Sequence, residues 1–549
     1  MAIRTFYSIA NESGSMSAHP EIPEKTLYEV LRDSAARGPD SPAYSFLGSR
    51  ETYGGLLNQA ESLSQSMASA GVSKGDFVMI CLPNCPQAVA AVYAASRLGA
   101  VAVMAHPMSS REEISFFIRD GNCRTAFILD SLAASLPAGS GLENIVLVPS
   151  GKSSPPMPGS VIWDDFLRMS AGVRPMPRVS PYDPVAVMYT GGTTGTTKGA
   201  VLSSMNFNAS ALGMKMSSGL KADGQKMLSV LPVFHGFGLC TGIHLPIMMG
   251  METVLLPYFS PEAFFRTVLS ERPSVMFGVP TVYEKLFVGE TAPGLRLDFI
   301  TGLFCGGDSL SSEAKTGLDE FLQSRGCRAK IRVGYGCTEC LSAVTLMPEG
   351  EDRYKSVGVP IQWNRIKIVK EGTEEEAPCG CNGEICVSGP TVMLRYLNQP
   401  EETAQAIRVH SDGAKWLHTG DMGHVDEDGF LYFECRIKRM IITSGYNVYP
   451  GEIEKRLNSD PLVKASYVVG VPDSVKVSRV RACVILKDGV EKTEETAKEI
   501  SGRLAEAVPL YSRPREYVFL DAFPMTKTGK VSCRTLEIGE VEGVRFSIP

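Results

Sequence analysis

Short apolar runs of strand length alternate with helical stretches along the first half of the chain, and no other feature restricts the fold as much. Phe77-Val78-Met79-Ile80, Val101-Ala102-Val103-Met104, Ala126-Phe127-Ile128-Leu129 and Ile145-Val146-Leu147-Val148 are interleaved with helical segments that include Gln87 to Leu98 and Arg111 to Asp120. Such alternation predicts a largely parallel α/β layer. The pattern returns in Lys226-Met227-Leu228-Ser229-Val230, Glu252 to Leu256 and Ser274-Val275-Met276-Phe277-Gly278, with helices over Pro261 to Ser270 and Val282 to Leu286. A second α/β layer is therefore expected. Lys25 to Gly38 and Leu56 to Met67 carry apolar residues at helical spacing and read as surface helices.

The Pro- and turn-rich segments within 151–184 mark a subdomain edge. Composition shifts near Lys370. The acidic run Glu371 to Glu376 reads as a solvated turn, and the strand-like Gly383 to Val387 and Gly429 to Phe433 predict a small β unit near 370–435. After Arg436 the pattern is that of a compact α+β piece of about a hundred residues. The expected division is thus 1–435 and 436–549, with the hinge at 435 to 440.

At 549 residues, with 44% hydrophobic and 21% charged, the chain can bury more than one core. A net charge of -6 without a polybasic run argues against a general nucleic-acid binder. Met1 to Pro20 has no continuous apolar block, so no leader is expected and the cytosol is the expected compartment. Leu245 to Leu256 is interrupted by Gly250, Glu252 and Thr253, and no run approaches the roughly 20 residues of a membrane helix. The 14 cysteines read as reduced thiols. Cys337-x-x-Cys340 and Cys379-x-Cys381 lack the paired knuckles of structural zinc.

The chemistry concentrates first in Thr190-Gly191-Gly192-Thr193-Thr194-Gly195-Thr196-Thr197-Lys198, set between two apolar runs. Glycines let successive N–H groups face one anion, threonine hydroxyls add neutral donors, and Lys198 supplies countercharge. A polyphosphate fits these donors. Thr197 and Gly199 flank Lys198, which excludes a Walker loop.

This stretch resembles the phosphate loop of the adenylate-forming superfamily, which contains acyl-CoA synthetases, adenylation domains of peptide synthetases and firefly-type luciferases. That family usually writes Tyr-Thr-Ser-Gly-Thr-Thr-Gly-x-Pro-Lys-Gly; here Gly191 replaces the serine and Thr197 the proline. Further signatures follow in the family's order. Gly334-Tyr335-Gly336-Cys337-Thr338-Glu339 is similar to its Tyr-Gly-x-Thr-Glu turn, which implies Tyr335 against the purine, Thr338 at a phosphate and Glu339 as ligand to Mg2+. Cys305-Gly306-Gly307-Asp308 resembles its second adenine-binding turn, so Gly307 and Asp308 join the nucleotide set. In Trp416-Leu417-His418-Thr419-Gly420-Asp421 the resemblance makes Asp421 the acceptor for both ribose hydroxyls. In Arg436-Ile437-Lys438-Arg439 it makes Arg436 a ribose contact and Lys438 the hinge pivot. Pro524-Met525-Thr526-Lys527-Thr528-Gly529-Lys530-Val531 resembles the C-terminal signature, whose catalytic lysine is Lys530 here.

The resemblance spans roughly Thr52 to Arg534. It implies an ATP- and Mg2+-dependent carboxylic acid:CoA ligase that forms an acyl-adenylate, releases pyrophosphate and passes the acyl group to coenzyme A. A movable cation bridging carboxylate and α-phosphate would lower their repulsion, which is the role Lys530 would take. The C-terminal domain is then expected to rotate about Lys438. Leu231 to Leu239 resembles the segment where amino-acid-activating relatives hold the substrate ammonium, yet no acidic residue occurs from Leu228 to Pro246. An amino-acid substrate would leave its cation unpaired. Phe234 and His235 match the acyl gate, with a packed core histidine as the competing reading of His235. Gly306, Gly334 and Gly336 leave room for a chain or ring. A medium- or long-chain fatty acid is favoured over a benzoate- or cinnamate-type acid. A stand-alone adenylating enzyme that loads a carrier protein is the alternative, and a non-enzymatic ATP-binding relative is opposed by Lys530, Glu339 and Asp421. A homodimer, the chain length of the acid and the pathway are left open.

Overall fold

The computed structural model describes residues 20–137, 139–151, 157–169, 174–190, 197–221, 224–285, 295–308, 310–443, 446–473, 477–525, 531–539 and 541–548. The phosphate-loop residues Gly191, Gly192, Thr193, Thr194 and Gly195, and the lysine Lys530, lie outside them.

Both expected α/β layers form. One sheet has eight strands in the order 395–396, 198–203, 184–190, 101–104, 77–81, 125–129, 144–148, 160–162. The run from 184–190 to 160–162 is parallel, and 198–203 and 395–396 are added antiparallel at one edge. The second sheet has seven strands in the order 331–333, 302–305, 275–278, 226–229, 252–255, 42–46, 49–52, parallel except for the last pair. Strands covered on both faces must be apolar on both, and Val101–Met104 and Gly302–Cys305 are buried at every residue. The buried carboxylate of Glu252 is tolerated because Arg50 Nε and Lys226 Nζ approach it at 3.2 and 3.4 Å.

Two differences from the sequence expectation have local causes. The helix expected over Val282 to Leu286 starts earlier and is described over Pro280–Glu284, because Pro280 is preset for a first helical position; Leu286 lies outside the described residues. The two-residue strand Arg395–Tyr396 joins the first sheet although it lies far along the chain, and no periodic pattern announces it.

Residues 365–436 build an antiparallel sheet of strands 365–369, 383–388, 415–425, 407–409 and 431–436. From Ile441 onward a further mixed sheet has its own core, which includes Val468, Ala482, Val484, Tyr517 and Phe519. Helix Pro450–Asn458 packs on strand Leu431–Arg436. No helix among the described residues is long and apolar enough to cross a membrane. All 14 cysteines are free thiols.

In parallel sheets, ligand-binding loops leave the C-terminal strand ends. Here such ends are Thr190, after which the Gly/Thr-rich segment begins in sequence, Gly306 to Asp308 after Gly302–Cys305, and Gly334 to Glu339 after Ile331–Val333. The ladders run one step past the strands: Gly306 N–H donates to Gly278 O at 3.1 Å, and Gly334 N–H to Cys305 O at 2.9 Å.

The helical segment that follows His235 carries a buried anchor midway, before helix Leu245–Met249. His244, 1% exposed, has Nδ1 3.0 Å from the Tyr93 hydroxyl and Nε2 2.9 Å from Asn208 Oδ1, which ties it to helices Pro86–Leu98 and Ser204–Ser218. An amide oxygen can only accept, so the bond to Asn208 requires a proton on Nε2 and leaves Nδ1 to accept from Tyr93. Burial lowers the imidazole pKa to about 3. The unfolded chain therefore binds a proton here below pH 6.5 that the folded chain refuses until about pH 3. Stability contributed by His244 is present at neutral pH and falls by about 1.4 kcal/mol per pH unit across that window. In urea denaturation at stepped pH, His244→Gln is expected to remove this part of the acid slope; an unchanged slope would reject the assignment.

Candidate active site

One corner of the site is built around a buried carboxylate. Asp421 and Arg436 face each other in the antiparallel pair of 415–425 with 431–436, and Arg436 Nε lies 3.0 Å from Asp421 Oδ1. The Tyr335 hydroxyl donates to Asp421 Oδ2 at 2.6 Å. Asp421 is 1% exposed, so a neutral donor and a cation together compensate its loss of water. Burial, then the Asp421 charge, raise the Tyr335 phenol well above its ordinary pKa and keep it a donor. The Tyr335 ring lies against Phe433, with centroids 5.9 Å apart and planes at 27°.

The bulge of strand Lys415–Val425 that presents Asp421 has a support that the sequence reading missed. Gly420 takes a φ of +70°, and its N–H donates to Glu384 Oε1 at 3.0 Å. Glu384 Oε2 lies 2.8 Å from His418 Nδ1, and His418 Nε2 lies 2.9 Å from His410 Nε2. Cys386 Sγ is 3.6 Å from His418 Nδ1. This group is buried and bonded internally, which makes it a bracket for the 419–421 bulge. Glu384 stands two residues before Cys386 on a strand whose neighbour carries His418, but sequence alone does not give the register that joins them.

A second corner carries opposite charges. Glu339 lies on the short turn Thr338–Cys340, which packs against strand Pro184–Thr190. Its carboxylate Oε1 accepts from the Tyr396 hydroxyl at 2.7 Å, and its carbonyl accepts from Met393 N–H at 2.7 Å. Lys198 pairs with Glu402, and its ammonium also stands 5.0 Å from the Tyr396 ring centroid. The bond from Lys198, helped by the charge of Lys438, holds Glu402 below the usual carboxylate range. Thr190 faces Lys198 across the hairpin, with Oγ1 3.4 Å from Lys198 O. Thr338 shares the Glu339 turn.

Phe234 and His235 form an aromatic group with ring centroids 5.0 Å apart, extended by His106 at 4.3 Å from Phe234. His106 was not singled out by sequence, having no motif around it. Gly236 fastens this group to the Glu339 turn, since a Cβ there would lie 2.1 Å from Leu341 O.

The glycines expected to leave acyl room need correction. A Cβ on Gly336 would lie 1.9 Å from Ser342 O, and one on Gly334 2.6 Å from Thr345 O. Both are glycine because backbone closes on backbone. At Gly306 a Cβ would meet Gly334 O at 3.1 Å and Phe237 at 3.9 Å, so only its Phe237 side faces side chains. Gly307 takes a φ of +81°, which turns the chain toward Asp308.

Against known proteins, the model of the AMP-binding enzyme family matches residues 31–397, and that of the AMP-binding enzyme C-terminal domain matches 452–530. The chain belongs to the AMP-binding enzyme family, the adenylate-forming superfamily of the sequence reading. The long-chain-fatty-acid–CoA ligase of Bacillus subtilis strain 168 is 34% identical, with 95% of this chain and 96% of that protein covered. ATP-bound MatB from Rhodopseudomonas palustris superposes with a TM-score of 0.83 at 25% identity, covering 94% and 99%. The o-succinylbenzoate coenzyme A synthetase MenE from Bacillus subtilis, in complex with ATP and magnesium ion, gives 0.76 at 25% identity, covering 94% and 100%. Within the family the protein is an AMP-forming acyl-CoA synthetase, an acid–thiol ligase whose substrates are ATP, CoA and a small carboxylic acid.

Because Gly336 has no space for a side chain, Gly336→Ala is expected to push the Tyr335–Glu339 turn outward. The predicted cost is about 1–3 kcal/mol of stability, with a larger loss of ATP affinity than of acid affinity. Denaturation and nucleotide titration check this, and wild-type values in both would contradict it.

Proposed function

We propose that this synthetase activates a medium- or long-chain fatty acid, with the nucleotide held between the Asp421 and Glu339 corners. The observation that carries the reading is the arrangement just described: Tyr335 and Glu339 follow the C-terminal end of a parallel strand, Tyr335 bonds a buried ribose-type acceptor on the antiparallel sheet, and Tyr396 links the metal-type donor Glu339 to the basic residue Lys198. The kinship to a long-chain-fatty-acid ligase supports the acid, as do the Phe234, Phe237 and His235 side chains and the lack of any acidic residue from Leu228 to Pro246.

In this reading Asp421, with four lone-pair sites, accepts the ribose hydroxyls while keeping Arg436, and the Tyr335 ring and the Gly307–Asp308 turn border the adenine. Gly191 to Gly195, Thr190 and Lys198 receive the phosphates. Glu339 fits Mg2+: it is a hard oxygen donor whose carboxylate is fixed by a neutral hydroxyl, so that contact does not cancel its charge. When bound, the ion would offset charge on the leaving pyrophosphate. The substrate carboxylate, already ionised near neutral pH, attacks the α-phosphorus. One P–O bond forms, the bond to pyrophosphate breaks, and Lys530 bridges the two anions. The CoA thiol then attacks the acyl carbon; it loses its proton, and AMP leaves with the former carboxylate oxygen. We divide the chain at 435/436, with Lys438 as the pivot that withdraws Lys530 between the steps, and we place the enzyme in the cytosol.

A panel of fatty, benzoic and cinnamic acids with ATP and CoA is expected to give AMP, pyrophosphate and thioester, fastest with fatty acids. Preference for aromatic acids would replace the substrate assignment, and turnover only with a phosphopantetheinylated carrier protein would replace CoA as acceptor. Lys530→Ala is expected to cut acyl-adenylate formation by at least a hundredfold, within the range of a removed charge-stabilising donor, while sparing thioester formation from supplied acyl-adenylate. Equal loss of both steps would reject the role of Lys530.

A further inference from the structure

Tyr396 belongs to none of the signatures above, yet it touches both charged groups of the metal and phosphate corner. Its hydroxyl donates to Glu339 Oε1 at 2.7 Å, and the ammonium of Lys198 stands 5.0 Å from its ring centroid. The residue is 6% exposed. An ionised carboxylate oxygen can only accept, so the hydroxyl is the donor in this bond.

The backbone around Tyr396 is fixed from several sides. Tyr396 pairs with Ala200 on the strand that follows the phosphate loop, while Leu394 N–H donates to Val201 O and Leu397 N–H to Gly199 O at 2.9 and 2.7 Å. Upstream, Asn206 Nδ2, in the first turn of helix Ser204–Ser218, donates to Pro390 O and Val392 O at 2.8 and 2.9 Å. Downstream, Tyr396 N–H donates to Thr403 Oγ1 at 2.9 Å, in the helix that supplies Glu402 to Lys198. A side chain held this firmly can set where its two partners stand.

We propose that Tyr396 is a positioning residue for the metal–triphosphate end of the site: its hydroxyl aims the Glu339 carboxylate and its ring face carries the Lys198 ammonium. The proposal rests on Glu339 receiving the divalent ion. A donor bonded to a ligating carboxylate fixes its orientation, and losing such a partner commonly costs 10–100-fold in metal affinity. A cation over an aromatic face is also stabilised independently of the hydroxyl. Tyr396→Phe therefore removes one function and keeps the other, whereas Tyr396→Leu removes both.

The test is Mn2+ binding to the full-length enzyme with ATP, followed by electron paramagnetic resonance, beside the Mg2+ requirement of pyrophosphate exchange. Tyr396→Phe is expected to weaken Mn2+ binding about tenfold or more while leaving the affinity for metal-free ATP within twofold. Tyr396→Leu should weaken both. In a double-mutant cycle, adding Tyr396→Phe to Glu339→Gln should change Mn2+ binding no further. Thioester formation from supplied acyl-adenylate should remain at the wild-type rate in Tyr396→Phe, which also reports that the variant is folded. Wild-type Mn2+ affinity in Tyr396→Phe, with a loss in Glu339→Gln, would overturn the role of Tyr396 and leave the metal assignment standing. Additive losses in the cycle would overturn it as well. Wild-type affinity in Glu339→Gln would instead remove the metal assignment on which the proposal rests.

Discussion

A carboxylate taken almost wholly out of water at Asp421 sets the terms for the rest of the site. Isolated, such a charge would be costly to bury, and Tyr335 and Arg436 compensate it from two other segments of the chain. Those bonds draw the end of a parallel strand, a turn of the antiparallel sheet and the start of the C-terminal portion to one point. Behind the bulge, Glu384 and His418 hold its backbone in the left-handed step that Gly420 permits. A polar cluster of this kind is favourable when its members are satisfied, and in a medium of low polarity it is correspondingly rigid. Rigidity suits the ribose-binding role proposed for Asp421, which asks for recognition of hydroxyls without rearrangement.

The charged corner follows a different rule. Glu339 and Lys198 carry opposite signs and stand on opposite sides of one tyrosine without pairing with each other. Tyr396 stands between them, and Glu402 takes up the lysine charge. The convergence comes from the Glu339 turn, which follows the edge strand of one parallel sheet and packs against strand Pro184–Thr190 of the other. Residues distant along the chain thus become neighbours through strand order.

Much of this was legible before any coordinates. Apolar runs such as Val101 to Met104 announce strands because burial on both faces permits little else, and the two α/β layers follow. Motifs such as Tyr335 to Glu339 are readable because their chemistry is compressed into a few adjacent residues. Tyr396 was hidden for the opposite reason: its strand is two residues long and its partners lie in other segments. His418, Glu384 and His410 were likewise invisible as a group, since register between strands decides their contact. The glycines at 334 and 336 were misread because sequence does not tell a position that makes room for a ligand from one that admits a neighbouring backbone.

The central claim is that an acid's own oxygen is transferred to phosphorus and leaves on the nucleotide. It is tested most directly with a fatty acid labelled with oxygen-18 in its carboxylate, turned over with ATP and CoA and followed by mass spectrometry of the products. The account predicts one labelled oxygen in AMP and none in pyrophosphate. Unlabelled AMP, or label in inorganic phosphate accompanied by ADP, would contradict it.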